Sequence, residues 1–554
     1  MARRYPSRRG VTPPRNPQQN GGFMSLEEWA KDFLKERVEK EEFLPSKHSF
    51  FVHSPLRQYV QMLFTGFITP TFYAKPSEIY IASRELHKTV VEEDPNFHLA
   101  SIKVAREEAL MKDQPIIGVL TRLRPTYNLR GKHFDDHVKL LSTYPPHHLL
   151  KKFVEPVRRK EFGYGLGRHV KRLLTKVIES WTEDTLKYYV IRYKRAMRDL
   201  INLTHYKLPD DDYARVLFNR ELDEVEDEYF KAYVKYMELI RKERYVDACR
   251  LVEEYSLPFE LMRVTIPRRY YKIEEVYRAL LDRATPLSVM SFAVSFVRAG
   301  IPASEVAKYV IKKGKAGSVT SLDVAKPMIM ALDQLTITNP LTKALGEVYS
   351  KKMVDVWKMI DTSFLKISDK KIALILDASG SMLSFNLMRS GFVRALISLA
   401  PLGVNVKHLV LFSDYASEEN PNLLCSLYGL YDLISIAHSR YNSGTNIIDA
   451  LRYARSLDDI DIVIISTDEQ ANINMTEVKE FEIIKEILSK GVGVIIHNPE
   501  PYPVHISKPI KGVTYIYGDR AESIIGSLRV QAMRDLKDED VKELIMEIVT
   551  VKEE

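Results

Sequence analysis

The fold of the C-terminal third is decided by one stretch, KIALILDASGS, which runs from Lys371 to Ser381. Its first seven residues form an apolar run of strand length that ends in an aspartate, and the turn-forming residues Ala-Ser-Gly-Ser follow. A short and continuously apolar run of this kind is typical of a strand buried on both faces of a sheet. The stretch therefore predicts a buried strand with polar side chains at its carboxyl end.

Four more runs downstream have the same character, and helix-length segments separate most of them. These runs are NVKHLVLFSD (405–414), DIVIISTD (461–468), GVGVIIHN (491–498) and VTYIY (513–517). Apolar strands that alternate with helices indicate a parallel sheet covered on both faces. We therefore predict a doubly wound α/β domain over residues 366–554, in which ligands bind at the carboxyl ends of the strands.

Oxygen-bearing side chains occupy three of the loops where such a ligand would bind. The predicted ligands are Asp377, Ser379 and Ser381 after the first strand, Thr445 before a helix, and Asp468 after a later strand. Carboxylate and hydroxyl oxygens suit a hard divalent cation, and we expect Mg²⁺. The alternative is that Asp377 and Ser379 only cap a helix, as Asp and Ser often do.

The chain before this domain is helical in pattern. Residues 1–22 contain five arginines, four prolines and no acid, which predicts a disordered basic arm. Residues 23–365 show apolar residues at three- and four-residue spacing, with turn signals such as Asp94-Pro95 and Ile301-Pro302 between the segments. Because no strict repeat is present, the pattern predicts an irregular α-solenoid of stacked helix pairs.

Charge divides the chain in the same place. Residues 1–360 carry 61 Lys/Arg and 46 Asp/Glu, a net charge of +15, whereas residues 361–554 carry 20 and 28, a net charge of −8. Residues 151–200 alone hold fourteen basic and six acidic residues. This concentration is a candidate contact surface for a polyanion, although a run of charge is also what a solvated helix face looks like.

Composition narrows the class of protein. The two cysteines, Cys249 and Cys425, lie far apart, which excludes a disulfide framework and a zinc finger. No apolar run approaches the ~18 residues of a membrane span. The basic first residues are followed by Pro, Gln and Gly and not by the apolar segment of a secretory signal, so we expect a cytoplasmic protein. The presence of only eight glutamines is a leaning of thermophile proteins. No nucleotide-binding or hydrolase motif is present, and we expect no enzymatic activity.

Two resemblances follow from these motifs. The Asp-x-Ser-x-Ser, Thr and Asp loops resemble the metal-ion-dependent adhesion site (MIDAS) of von Willebrand factor type A domains. The helical region is similar to the TROVE domain of the Ro ribonucleoprotein autoantigen family, most clearly in FGYGLGRHVKRLLTKVIESW (Phe162–Trp181) and IRYKRAMRDLINLTHYK (Ile191–Lys207), and more loosely in FTGFITPTFYAKPSEI (Phe64–Ile79). The resemblance implies a monomeric ring of HEAT-like helical repeats, closed by the type A domain.

The resemblance also implies partners. Ro-type proteins bind small or misfolded non-coding RNA, and a type A domain uses its metal to bind an acidic protein ligand. The residues that we expect to contact RNA are Arg168, Lys171, Arg172, Lys176, Lys187, Arg192, Lys194, Arg195 and Arg198. Tyr188, Tyr189 and Tyr193 lie among them, either as stacking platforms for bases or as packing residues.

One departure from the family pattern bears on specificity. The family places a Gly-Trp-Ser/Thr-His element between its Tyr-Lys and Asp-Leu-Leu motifs, and here Lys194 is followed directly by Arg195. Phosphate contacts would survive this loss better than sequence-specific ones. The leading hypothesis is a Ro-type RNA-binding protein, and the alternative is a metal-dependent protein-interaction scaffold for which RNA is not the ligand.

Overall fold

The computed structural model describes residues 55–66, 76–108, 111–127, 129–361, 367–384, 386–468, 477–499, 512–518 and 521–553. The basic arm predicted for residues 1–22 lies outside the described residues, and so does part of the Phe64–Ile79 motif.

Helices fill the described residues up to 360. They are α1 (Pro55–Thr65), α2 (Pro76–Glu93), α3 (Pro95–Glu107), α4 (Asp113–Arg122), α5 (Gly131–Ser142), α6 (Pro146–His148), α7 (Glu155–Arg158), α8 (Arg168–Glu179), α9 (Glu183–Arg192), α10 (Lys194–Thr204), α11 (Asp211–Phe218), α12 (Glu228–Arg241), α13 (Tyr245–Glu254), α14 (Phe259–Thr265), α15 (Glu274–Arg283), α16 (Pro286–Arg298), α17 (Ala303–Gly314), α18 (Ser321–Leu335), α19 (Pro340–Lys351) and α20 (Met353–Ile360). A π-helical turn, Leu149–Val154, joins α6 to α7.

The helix boundaries follow from local signals in the sequence. Asp94 caps α3 by accepting hydrogen bonds from the backbone N–H groups of Asn96 and Phe97 at 3.1 and 2.9 Å, and Pro95 is the first helical residue. At the start of α18, Thr320 and Asp323 form a reciprocal capping box. These caps satisfy backbone donors that a helix leaves unpaired, so α3 and α18 begin where the sequence supplies a partner.

The C-terminal region is built on a six-stranded sheet. Its strands are β1 (Ile372–Asp377), β2 (Val406–Phe412), β3 (Ala416–Glu419), β4 (Ile462–Ser466), β5 (Gly493–Asn498) and β6 (Val513–Tyr517), in the order β3-β2-β1-β4-β5-β6. The helices among them are α21 (Gly391–Leu399), α22 (Leu427–Ile436), α23 (Ile447–Ser456), α24 (Glu477–Ser489), α25 (Ala521–Ala532) and α26 (Asp538–Glu553). A helical region followed by an α/β region is therefore confirmed.

The sheet differs from the prediction at one edge. All five predicted strands are present and pair in parallel, whereas β3 pairs antiparallel with β2, which makes the sheet mixed. The sequence of β3 is Ala-Ser-Glu-Glu, which is polar and only four residues long, so it carries no apolar signal for a strand. An antiparallel edge strand on an otherwise parallel sheet is a common arrangement.

Both faces of the sheet are covered, by different parts of the chain. Successive residues of a strand point to opposite faces, so Ile372 and Leu374 share one face and Ala373 and Ile375 share the other. The first face lies in one continuous core with the helical region. The second packs under α23 and α24 in a separate core. The long apolar run of β1 therefore reflects burial on both sides.

The helical region contacts the C-terminal region at both of its ends. At the first end α1 packs on α25 and α3 packs on α26, and at the other end α18 packs on α21 and α19 packs on α22. Arg57 of α1 donates a hydrogen bond to Asp538 at 2.6 Å. The approach at the first end is so close that a Cβ atom built on Gly526 would lie 1.7 Å from the carbonyl oxygen of Phe64.

Among the residues that the structure describes, no helix is long and apolar enough to span a membrane.

Candidate functional site

Backbone hydrogen bonds bring the predicted cation loops together at the carboxyl ends of the strands. The N–H of Ala378 donates to the carbonyl of Phe412 at 2.8 Å and extends the ladder between β1 and β2. The N–H of Gly380 then donates to the carbonyl of Ser443 at 2.9 Å, which ties the Asp377 loop to the loop that holds Thr445. The two loops are thus joined by main chain, so their geometry is set by the fold.

Asp377 lies at the centre of this arrangement. One of its carboxylate oxygens accepts the backbone N–H of Ser379 at 2.8 Å, and the other accepts the hydroxyl of Thr467 at 2.6 Å. The hydroxyl oxygens of Ser379 and Ser381 are 3.2 Å apart. The first loop therefore presents two neighbouring hydroxyls beside a fixed carboxylate, and Asp468 follows Thr467 directly.

The capping alternative does not describe these residues. The chain after Asp377 forms turns, and the next α-helix, α21, begins at Gly391. Ser390 caps that helix by accepting the backbone N–H of Val393 at 3.3 Å. Asp377 and Ser379 thus cap no α-helix among the described residues.

Two buried carboxylates set the electrostatics of the site. Asp377 and Asp468 are both fully buried. Burial raises the pKa of Asp377 to about 7, and the nearby carboxylate of Asp468 adds to this, while hydrogen bonds from Ser379 and Thr467 oppose it. Two buried carboxylates side by side are costly as anions unless a positive charge offsets them.

Thr445 supplies an independent indication. Its side chain is 1% exposed, and within the described residues its hydroxyl oxygen has no hydrogen-bond partner. A buried hydroxyl without a partner costs about 1–3 kcal/mol, so such groups call for an explanation. The described residues hold no cluster of three or more His, Cys, Asp or Glu side chains fit for a metal, so a cation here would depend on hydroxyl ligands. The chemistry of Asp377, Ser379, Ser381, Thr445 and Asp468 fits Mg²⁺.

The second candidate site is a basic cleft on α8. This helix buries Val170, Leu173, Leu174, Val177 and Ile178. The opposite side carries Arg168, Lys171, Arg172 and Lys176, which line a cleft of about 590 Å³ with Leu166, Thr175 and Thr204. The amphipathic spacing of the helix therefore places its cations together on one surface.

The cations of the basic cleft differ in how they are held. Lys176 forms an exposed ion pair with Glu179 at 2.6 Å, and the guanidinium of Arg172 lies 5.3 Å from the centre of the Phe134 ring. Arg168 and Lys171 form no ion pair within the part of the chain that the structure describes. Solvated cations of this kind are available to phosphate groups.

The other five predicted RNA contacts do not line this cleft. Lys187 pairs with Asp227 and Glu183, Arg192 pairs with Glu260, and Lys194 donates to Asn219. Burial, with the like charges of Arg198 and Arg241, lowers the pKa of Lys194 to about 8. Arg195 and Arg198 are exposed on α10.

The interleaved tyrosines are half-buried and packed on neighbours. The ring of Tyr189 meets Trp181 edge-on at 4.9 Å between centroids. The ring of Tyr193 stacks on the exposed His147 at 4.6 Å and 28°. Arg192 lies over Tyr193 on the same surface, 4.9 Å from the ring centre. These contacts make Tyr193 part of a packed stack.

The sequence does not single out several residues that shape the two sites. Thr467 holds Asp377, and the hydroxyl of Ser443 donates to that of Ser413 at 2.9 Å beside the cation loops. Ser413 follows β2 directly, so the rule that ligands bind at strand carboxyl ends could have found it. Thr175 lies one turn after Lys171 on α8, so helical spacing could have found it, whereas Thr204 belongs to α10 and reaches the cleft only through the tertiary fold.

Comparisons with known proteins were made by sequence and by structure. No family model matches the chain, and no curated protein matches it. A solved structure of an aerotolerance-related membrane protein from Bacteroides fragilis NCTC 9343, with multiple mutations to serines, is similar to part of it. That match has 16% sequence identity and a TM-score of 0.22, and it covers 29% of this chain and 98% of the other.

Proposed function

We propose that this protein is a non-enzymatic RNA-binding protein of the Ro type, which binds small or misfolded non-coding RNA on the basic cleft of α8. The observation that carries this proposal is the grouping of Arg168, Lys171, Arg172 and Lys176 around one cleft of about 590 Å³. Phosphate groups of a single strand or a short duplex would neutralise these charges.

The architecture of the Ro type is part of the same proposal. In it the helices form a HEAT-like ring that a type A domain closes. Support comes from the contacts of α1 and α3 at one end and of α18 and α19 at the other, all with the C-terminal region. The sheet order β3-β2-β1-β4-β5-β6 also suits a type A domain.

Recognition in this proposal is mainly electrostatic. Four basic side chains, two threonines and Leu166 line the cleft, and the Gly-Trp-Ser/Thr-His element of the family is missing before Arg195. Contacts from Lys and Arg to phosphate carry no sequence information directly. We therefore expect the affinity for RNA to fall steeply as the salt concentration rises. A plot of the logarithm of the binding constant against the logarithm of the salt concentration should have a slope of about −0.7 to −0.9 per phosphate contacted.

The cation site serves a different partner. Asp377, Ser379, Ser381, Thr445 and Asp468 would hold Mg²⁺, and the bound cation would supply a positive point to which the carboxylate of an acidic protein ligand could attach. The protein's own contribution is to hold these oxygens in place through the bonds of Ser379 and Thr467 to Asp377.

A charge-reversal set tests the RNA proposal. Arg168→Glu, Lys171→Glu and Arg172→Glu together should weaken binding of a fluorescent single-stranded RNA by about 10³-fold at moderate salt, because several phosphate contacts are lost. The matched control is Lys308→Glu, Lys312→Glu and Lys343→Glu, three exposed cations on other helices. Equal losses in both sets would mean nonspecific attraction, and no RNA binding by the unaltered protein would overturn the proposal.

A metal-dependent interaction scaffold is the second candidate, and it is favoured by the Thr445 hydroxyl, which has no hydrogen-bond partner among the residues that the structure describes. Under this hypothesis the C-terminal region binds an acidic partner and the helices only support it. Asp377→Ala with Ser379→Ala should then abolish Mg²⁺-dependent capture of an acidic peptide, while RNA binding stays intact. The charge-reversal set should do the opposite.

A further inference from the structure

A second cleft lies on the helical region, away from the basic cleft of α8. It is bounded by α9, α12 and the residues that follow α13, and it encloses about 670 Å³. Four tyrosines line it: Tyr188 and Tyr189 of α9, Tyr229 of α12, and Tyr255. All four are half-buried, so each ring is held by the fold and still borders open space. We call this the tyrosine cleft.

One acid and one base line the tyrosine cleft, and further acids lie around it. Asp184 is exposed at its edge. The one lining cation, Lys187, is already bound by Asp227 at 2.7 Å and by Glu183 at 2.8 Å. Two carboxylates therefore offset the charge of the Lys187 ammonium group, and the charge of Asp184 makes the edge of the cleft negative.

Carboxylates and cations both act on the tyrosine hydroxyls. Burial is the main cause that raises the pKa of Tyr229; the guanidinium of Arg283 opposes the rise, and the carboxylates of Asp184 and Asp227 add to it. The carboxylate of Glu254 is the main cause that raises the pKa of Tyr255. A phosphate group would meet repulsion here, whereas a positive ligand would be attracted.

We propose that the tyrosine cleft binds an organic ammonium ion, with the rings of Tyr189, Tyr229 and Tyr255 beside the cation and the carboxylate of Asp184 opposite its charge. The ring of Tyr188 already has the guanidinium of Arg192 5.4 Å from its centre and completes the wall of the cleft. The electron-rich face of an aromatic ring attracts a cation within about 6 Å of its centre, and groups of such rings recognise alkylammonium ligands. This site is separate from RNA binding and does not depend on it.

Calorimetric titration of the full chain with choline tests the site. Choline carries a quaternary ammonium group without N–H donors, so its binding depends on contact with the aromatic rings and on its charge. Its uncharged carbon analogue, 3,3-dimethyl-1-butanol, has nearly the same shape and is the control. We expect choline to bind at least about tenfold more tightly than the alcohol. Spermidine in a parallel titration shows whether ammonium N–H groups add affinity, and tighter binding of spermidine than of choline also supports the proposal.

Two pairs of variants assign the binding to the cleft. Tyr229→Leu should weaken choline binding about tenfold, while Tyr229→Phe, which keeps the ring, should stay within about threefold of the unaltered protein. Asp184→Asn should weaken it less than the loss of a ring. If Tyr229→Leu does not fold, Tyr255→Leu replaces it, with Tyr255→Phe as its control.

No RNA is present in the choline titration, so its outcome is independent of the outcome of the RNA-binding experiment. Binding of neither choline nor spermidine would overturn the proposal, as would equal affinity for the neutral alcohol. Binding of adenosine monophosphate that Tyr229→Leu abolishes would also overturn it and would assign the cleft to a nucleobase. Failure of any of these tests leaves the charge-reversal result on α8 unaffected.

Discussion

The two regions of this protein present their functional side chains in opposite ways. The C-terminal region buries its candidate ligands, such as Asp377 and Thr445, on loops that backbone hydrogen bonds fix to the sheet. The helical region displays its cations, such as Arg168 and Lys171, on the solvent side of a helix. Buried groups change stability as well as binding when they are replaced, whereas exposed cations change binding alone.

The regions are nevertheless one body, because the core of the helical region continues onto the sheet. The contact between α1 and α25 therefore offers the strongest way to disturb both regions at once. Gly526→Ala would place a Cβ atom 1.7 Å from the carbonyl oxygen of Phe64, so the helices must move apart. We expect a loss of about 3 kcal/mol in the free energy of unfolding, measured by chemical denaturation.

The control for this substitution is Gly165→Ala. A Cβ atom there meets nothing within 4 Å, and the stability should change by less than about 0.5 kcal/mol. A Gly526→Ala variant as stable as the unaltered protein would show that the first helices do not need their contact with the C-terminal region.

The cation site gives the next largest effect. Mg²⁺ at about 100 times its dissociation constant should stabilise the protein by about 2.7 kcal/mol, seen as a rise in Tm. Thr445→Val should remove most of that rise without destabilising the metal-free protein, because it deletes a buried hydroxyl that has no hydrogen-bond partner among the described residues. Thr445→Ser keeps the oxygen and should retain the Mg²⁺ effect. A Tm rise that is equal in all three proteins would place the cation elsewhere.

Local sequence patterns predict much of both regions. The apolar runs in the sequence predict the five parallel strands. Because parallel strands place their carboxyl ends at one edge of the sheet, the same pattern predicts that the loops of Asp377, Thr445 and Asp468 lie together. The grouping of Arg168, Lys171, Arg172 and Lys176 follows from helical spacing. The sequence gives no sign that Lys187 and Arg192 are engaged by acids from other helices, since those partners lie 40 and 68 residues away in Asp227 and Glu260.

The tyrosine cleft and β3 were beyond prediction for related reasons. The cleft joins Tyr188 to Tyr229 and Tyr255, which share no local pattern and meet only through the packing of α9 against α12. The strand β3 is too short and too polar to show the apolar pattern of a strand. It forms because the chain turns back directly after β2. Tertiary contacts decide both features.

One cluster in the helical region resembles the C-terminal site in being buried and polar. His87, His98 and His137 are fully buried between α2, α3 and α5, and the Nδ1 atom of His87 lies 3.0 Å from the Nε2 atom of His98. Burial lowers the pKa of His87 to about 3 and of His137 to about 4. If burial sets the pKa of these side chains, they should make the free energy of unfolding depend on pH as Asp377 does, but in the opposite direction.

The sign follows from which state binds the protons. An unfolded histidine has a pKa near 6.5, so between pH 6.5 and 4 the unfolded chain binds protons that the folded histidines do not bind. The free energy of unfolding therefore falls as the pH falls, by up to about 1.4 kcal/mol per pH unit for each histidine. Asp377 acts the other way, since its folded pKa of about 7 lies above its unfolded value and its contribution is lost as the pH rises. Denaturation of the protein without Mg²⁺ at pH 4.5 to 6 should show a net fall in stability toward acid, which His137→Gln makes shallower and Asp377→Asn makes steeper. A slope that neither variant changes would mean that exposed carboxylates, and not these buried groups, set the acid limit of the fold.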